Sequence, residues 1–137
     1  MSNVRHSMCK ALACIVLVSF AQSAFAYDRA RAADNLAHEA AECSAYFLIA
    51  SAAPRLDANL VNYLRAKYDG LLELSVKMTE ANLTKARFEL ATKSMLRDLN
   101  GNWSNFSILN NKYGYPCADL VKDPEARVKY WLEKKDE

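Results

Sequence analysis

Apolar residues recur every three or four positions along most of this chain, a spacing that predicts amphipathic helices. Over residues 28–53 the series Ala33, Leu36, Ala40, Cys43, Phe47 and Ala50 makes a narrow stripe suited to packing on one side. Pro54 ends it, because proline lacks the N–H a helix needs and clashes with the preceding turn. Asp57 is placed to cap a second helix with the stripe Val61, Leu64, Tyr68, Leu71, Ser75 and Met78, widened by Leu60, Leu72 and Val76. Gly70 stands inside this helix. A glycine there costs about 1 kcal/mol relative to alanine, so it marks either a weak point or the close approach of a neighbour. Residues 79–82 read as a break or kink.

A third helix is predicted from about Thr84, with Phe88, Ala91, Met95, Leu99, Phe106 and Leu109 on its inner face. Asn100-Gly101-Asn102 either ends it or lies inside a longer one. Residues 112–117 (KYGYPC) read as a turn punctuated by Gly114 and Pro116. The last helix has the strongest start signal. Asp123 caps it, Pro124 occupies the first turn where a missing N–H costs nothing, and Glu125 suits the positive helix end. Val128, Trp131 and Leu132 are expected to face inward, with fraying near Lys134. Four helices with short connections predict an all-α fold, a small antiparallel bundle.

The N-terminal pattern differs. Arg5 and Lys10 precede an uncharged run, residues 11–20, and Ala24-Phe25-Ala26 follows as a small-x-small cleavage site. That order reads as a cleaved signal peptide over residues 1–26, leaving a 111-residue helical domain, 27–137, of the 137 residues. The rival is a membrane anchor, but a spanning helix needs about 20 apolar residues. The run reaches Phe25 only by including Ser19, Gln22 and Ser23. No comparable run follows, so no membrane span is expected after cleavage.

Removing residues 1–26 changes two further readings. Arg5 and Lys10 leave 16 of the 18 basic residues against 16 acidic ones, so the formal charge of +2 falls to zero. A nucleic-acid partner is not expected, since such proteins carry a basic excess that displaces counterions. Cys9 and Cys14 also leave. Cys43 and Cys117 remain as an even pair in an oxidising compartment, and the prediction is a structural disulfide between them. Neither has the C-x-x-C neighbour of a redox site.

Catalytic and cofactor patterns are sparse. His38-Glu39-Ala40-Ala41-Glu42 opens like the H-E-x-x-H zinc motif but has Glu42 where the second histidine belongs. His38, Glu39 and Glu42 are read as a solvated polar face or, at most, a weak metal site. His38 is the one histidine of residues 27–137, which excludes a multi-imidazole zinc centre within one chain. No G-x-S-x-G accompanies it, and Cys117 is followed by Ala118-Asp119-Leu120 rather than a haem-attachment sequence. A di-iron bundle needs two Glu-x-x-His motifs, and Asn35 stands where the single candidate glutamate would be. No particular carboxylate pair suggests glycoside hydrolysis. No catalytic residue, metal or cofactor is therefore assigned.

Residues 100–115 have the most unusual composition. Asn100, Asn102, Asn105, Asn110 and Asn111 interleave with Trp103, Phe106, Tyr113 and Tyr115. One reading is a helix end whose aromatics pack inward and whose amides cap and turn. The other is a partner surface anchored by Trp103, Tyr113 and Tyr115, since rigid aromatics give contact area at low entropic cost. Asn82, Asn102 and Asn105 each begin a glycosylation sequon. Two function classes follow. The first is an exported, non-enzymatic interaction protein with a protein partner, such as an inhibitor, adaptor, small chaperone or envelope component. The second is a carrier of an apolar or aromatic small molecule within the bundle, where Gly70, Ser75, Ala91 and Thr92 are small enough to leave a cavity.

Overall fold

A computed structural model describes the backbone of residues 4–134 and the side chains of residues 28–134. The expected signal segment, residues 1–26, lies outside the residues whose side chains are described. The chain divides into two compact units, one ending at Arg31 and one beginning at Ala32. In the first, Arg31 meets Asp28 one helical turn away at 3.9 Å.

The described residues are helical, with no strand among them. The elements are α1 (Val4–Ser51), α2 (Ala58–Met78) and α3 (Ala81–Leu99), then a 3-10 turn (Trp103–Asn105) and α4 (Phe106–Leu109). A π-helical turn (Asn110–Gly114), α5 (Tyr115–Lys122) and α6 (Pro124–Glu133) complete the chain. No helix among the described residues is long and apolar enough to cross a membrane.

Local chemistry explains the boundaries. The Asp57 carboxylate accepts from the Leu60 amide at 3.0 Å and so satisfies one of the unpaired donors at the start of α2. Asp123 does the same for α6, accepting from the Ala126 amide at 2.9 Å. Helix α3 stops because Asn100 turns left-handed, with φ 48°, and Gly101 follows at φ 67°. Asparagine and glycine tolerate that region best.

Three contacts show how the last part of the chain returns along α1. Tyr46 meets Asn110, Cys43 is bonded to Cys117, and Glu39 meets Arg127. Partner numbers rise as positions on α1 fall, so the strand of helices from 110 onward runs antiparallel to α1. Helix α2 packs on another face of α1, also antiparallel. The Ser44 hydroxyl donates to the Tyr68 carbonyl at 3.0 Å and the Ser75 hydroxyl to the Ala37 carbonyl at 2.8 Å. Tyr68 meets Phe88 with ring centroids 5.8 Å apart, and Ser75 meets Thr84, which fixes α3 antiparallel to α2.

Residues 32–51 of α1 are therefore the centre of the bundle, flanked on two faces. Ala37, Ala40, Ala41 and Ala45 are fully buried, and their small side chains let neighbouring helices approach closely. Around them Leu36, Met95, Leu109 and Leu120 fill the core. Each such side chain contributes about 1.5–3 kcal/mol by leaving water. The predicted disulfide is formed between Cys43 and Cys117, with Cα atoms 5.3 Å apart.

Three expectations need correction. Residues 112–117 are not a turn: Gly114 and Tyr115 have helical dihedrals, and Pro116 sits in the first turn of α5, where a missing N–H is harmless. Leu132, and likewise Leu60, Val76 and Met78 from the predicted face of α2, are exposed rather than in the core. Glu39 is not part of a solvated face but is buried, because α6 covers that side of α1.

Candidate functional site

The segment 100–115 builds its surface from amides that are mostly occupied. Asn100 is the left-handed end of α3. The Asn102 side chain accepts from the Ser104 amide at 3.0 Å, which caps the 3-10 turn. Asn105 Nδ2 donates to the Leu99 carbonyl at 3.1 Å. Asn110 Oδ1 accepts from the Tyr46 hydroxyl at 3.0 Å. Asn111 is exposed.

The aromatics converge on Tyr46. Phe106 stacks on it at 5.9 Å, Phe47 meets it edge-on at 5.3 Å, and Tyr113 lies 6.2 Å away. Trp103 joins through Phe106 at 6.2 Å. The structure thus divides the three residues proposed as anchors. Tyr113 is buried at 7 % exposure, Trp103 is half-buried, and Tyr115 projects at 81 % exposure. Burial of the first reflects the π-helical turn, which rotates Tyr113 toward Tyr46 and Tyr115 outward.

Beside Tyr115 lies an open pocket of about 320 Å³ lined by Tyr46, Phe47, Asn110, Gly114 and Ala118. Gly114 leaves room for the Asn110 amide: a Cβ there would stand 2.7 Å from Asn110 Oδ1 and would push that side chain aside. Burial raises the Tyr46 pKa above its ordinary 10.0, so the phenol stays a neutral donor. Neutral amide, phenol and aromatic faces suit contact and hydrogen bonding rather than proton transfer. Pi-helical turns also recur at functional sites.

Two features escaped the sequence pattern. Tyr46 lay outside the predicted stripe, although it follows Cys43 by three residues and so shares the face that meets Cys117. Glu39 is held by Arg127 Nε, 2.8 Å from each carboxylate oxygen, by Arg127 Nη2 at 2.7 Å and by Trp131 Nε1 at 2.9 Å. That hydrogen-bonded carboxylate raises the Arg127 pKa further. His38 Nε2 lies 3.7 Å from Glu42 Oε1 on the exposed side, apart from Glu39. Among the described residues no three histidine, cysteine or acidic side chains gather as metal ligands. Comparison of the chain with family models, with curated proteins and with solved structures gives no match.

Proposed function

We propose that this is an exported, non-enzymatic interaction protein that engages a protein partner through the surface around Tyr115. The observation that carries the reading is the exposure of Tyr115, a large aromatic with 81 % of its surface in solvent beside an aromatic-lined pocket. Pro116 and the Cys117 disulfide follow it directly, so its helix is held before any partner arrives. Preorganisation of that kind lowers the entropic cost of association. Export, to a periplasm or outside the cell, is supported by the Ala24-Phe25-Ala26 site and by a disulfide, which persists in oxidising compartments.

A photoreactive benzoylphenylalanine in place of Tyr115, introduced in the native source, tests the surface. The same label in place of Leu90, which is 69 % exposed on α3, is the control. A discrete adduct from position 115 and none from position 90 is expected; equal labelling from both sinks the proposal. Intact mass of the exported protein is expected to correspond to a start at Tyr27. A mass retaining residues 1–26 would make it an anchored protein instead.

The second reading, a small-molecule carrier, changes position. Ser75 is fully buried with its hydroxyl engaged by Ala37 and Thr84, and Ala91 is buried too. Gly70, by contrast, is exposed. What favours this reading is the groove next to Gly70.

A further inference from the structure

Gly70 lies well inside α2, where glycine is about 1 kcal/mol less favourable than alanine. Neither usual reason for it applies. Its φ is outside the left-handed range, and no atom comes within 4 Å of the position its Cβ would take. The missing side chain instead leaves open a groove of about 340 Å³ between α2 and the α5–α6 junction. Its apolar lining comes from Leu71, Leu74, Leu120, Val121 and Pro124. The volume is at the low end of the range for small-molecule sites, about 300–1,000 Å³.

The charges at its rim are uneven. Lys77 is paired with Glu73 at 2.6 Å, so these two neutralise each other. Lys67, one turn before Gly70, is half-buried, lines the groove and holds its ammonium over the Tyr63 ring, 4.9 Å from the centroid. Among the described residues no carboxylate pairs with it. A lysine that lines an apolar trough and has no carboxylate partner among the described residues favours a ligand with one anionic end and a hydrocarbon body.

We infer that this groove binds a medium-chain fatty acid or similar amphipathic monoanion, with the chain over Gly70 and the carboxylate at Lys67. The inference deepens the carrier reading and is independent of the Tyr115 surface, with which the groove shares no residue. The probes are decanoate and, as its uncharged counterpart, decan-1-ol, each titrated calorimetrically into the exported, disulfide-bonded protein. Decanoate is expected to saturate one site and to bind at least tenfold more tightly than decanol. Lys67→Gln should erase that preference. Gly70→Leu should weaken decanoate at least tenfold while holding or raising the melting temperature, because leucine fills open space and favours the helix. Should that variant perturb α2, Ala66→Trp on the same groove wall carries the same expectation. Decanoate binding untouched by both variants overturns this site but leaves a carrier with a site elsewhere. Equal binding of acid and alcohol overturns the role of Lys67, and no binding of either overturns the carrier reading for this ligand class.

Discussion

Residues 32–51 of α1 and helix α6 belong to the same bundle but are held in opposite ways. The α1 stretch is buried on two faces by many small apolar contacts, from Ala32 and Leu36 through Ala45 to Ile49 and Ala50. Helix α6 has no fully buried residue. Its polar attachment to α1 is through Arg127 and Trp131, which both converge on the Glu39 carboxylate, and of its apolar side chains Val128 and Trp131 pack, half-buried, against the core. Distributed apolar burial ties a helix to the whole fold, whereas one polar cluster beside two half-buried side chains concentrates the attachment around Glu39. The first kind of helix should open only with global unfolding, and the second can open by itself.

The disulfide sets the largest effect on both. It joins positions separated by 74 residues. Loop-closure entropy for a loop of that length gives roughly 4.5 kcal/mol, a large share of the about 5–15 kcal/mol typical of a domain. Reduction, or the double change Cys43→Ser with Cys117→Ser, is expected to lower the melting temperature by roughly 15–20 °C. The helical circular dichroism at room temperature should persist. A melting temperature that did not move would mean the packing around α1 holds the two segments together unaided.

The next change tests the distributed half of the comparison. Met95 is fully buried against the core that surrounds α1. Met95→Ala is expected to cost about 2–5 kcal/mol, since it loses apolar burial and leaves a cavity. The loss should appear together in residues 32–51 of α1 and in α3, with hydrogen exchange accelerating equally there, while α6, which opens by itself, changes less.

Glu39→Gln tests the concentrated half. It keeps the shape of the side chain but removes the charge opposite Arg127. Breaking a buried ion pair costs about 3–5 kcal/mol. About 3 kcal/mol or less is expected here, because 26 % of the Arg127 side chain remains in solvent. Amides of α6 should exchange faster while those of residues 32–51 keep their protection. Uniform acceleration across both regions would refute the idea that α6 is a separately attached unit.

The same contrast explains what could be read from the residues alone. Helix positions, caps and the disulfide were legible because each rests on local chemistry: Asp57 and Asp123 as caps, Pro54 as a stop, two cysteines with one possible pairing. The number of buried faces on α1 was not, since a stripe read at helical spacing identifies one face, and alanine is equally at home on a surface or in a tight interface. That is why the stripe alone places Glu39 in solvent and omits Tyr46. Helix α5 was hidden for a different reason. Gly114 and Pro116 are strong turn signals, but here the glycine makes room for Asn110 and the proline occupies a first turn. Of the three aromatics proposed as anchors, the segment was legible but the direction each ring takes was not, because the π-helical turn shifts the phase of every residue after Asn110.

The smallest expected effect concerns the third attachment along α1, where Tyr46 meets the π-helical turn. Its hydroxyl donates to Asn110 Oδ1, the same atom that Gly114 must leave room for. Tyr46→Phe keeps the ring stacked on Phe106 but removes this bond, so a loss of about 1 kcal/mol is expected at neutral pH. The change should also alter the alkaline limb of stability. Burial raises the Tyr46 pKa above its ordinary 10.0, so the folded protein keeps a proton that the unfolded chain gives up. Unfolding then releases a proton, and stability must fall as pH rises past 10.0 toward the folded value; below that window the term contributes no pH dependence. Melting temperatures of the two proteins, followed by circular dichroism between about pH 8 and 11, separate the effects. The variant should start lower and decline less steeply. A parallel decline in both would assign the alkaline loss to groups other than Tyr46, and the attachment at the π-helical turn would rest on ring packing, like the rest of α1, rather than on a polar anchor like that of α6.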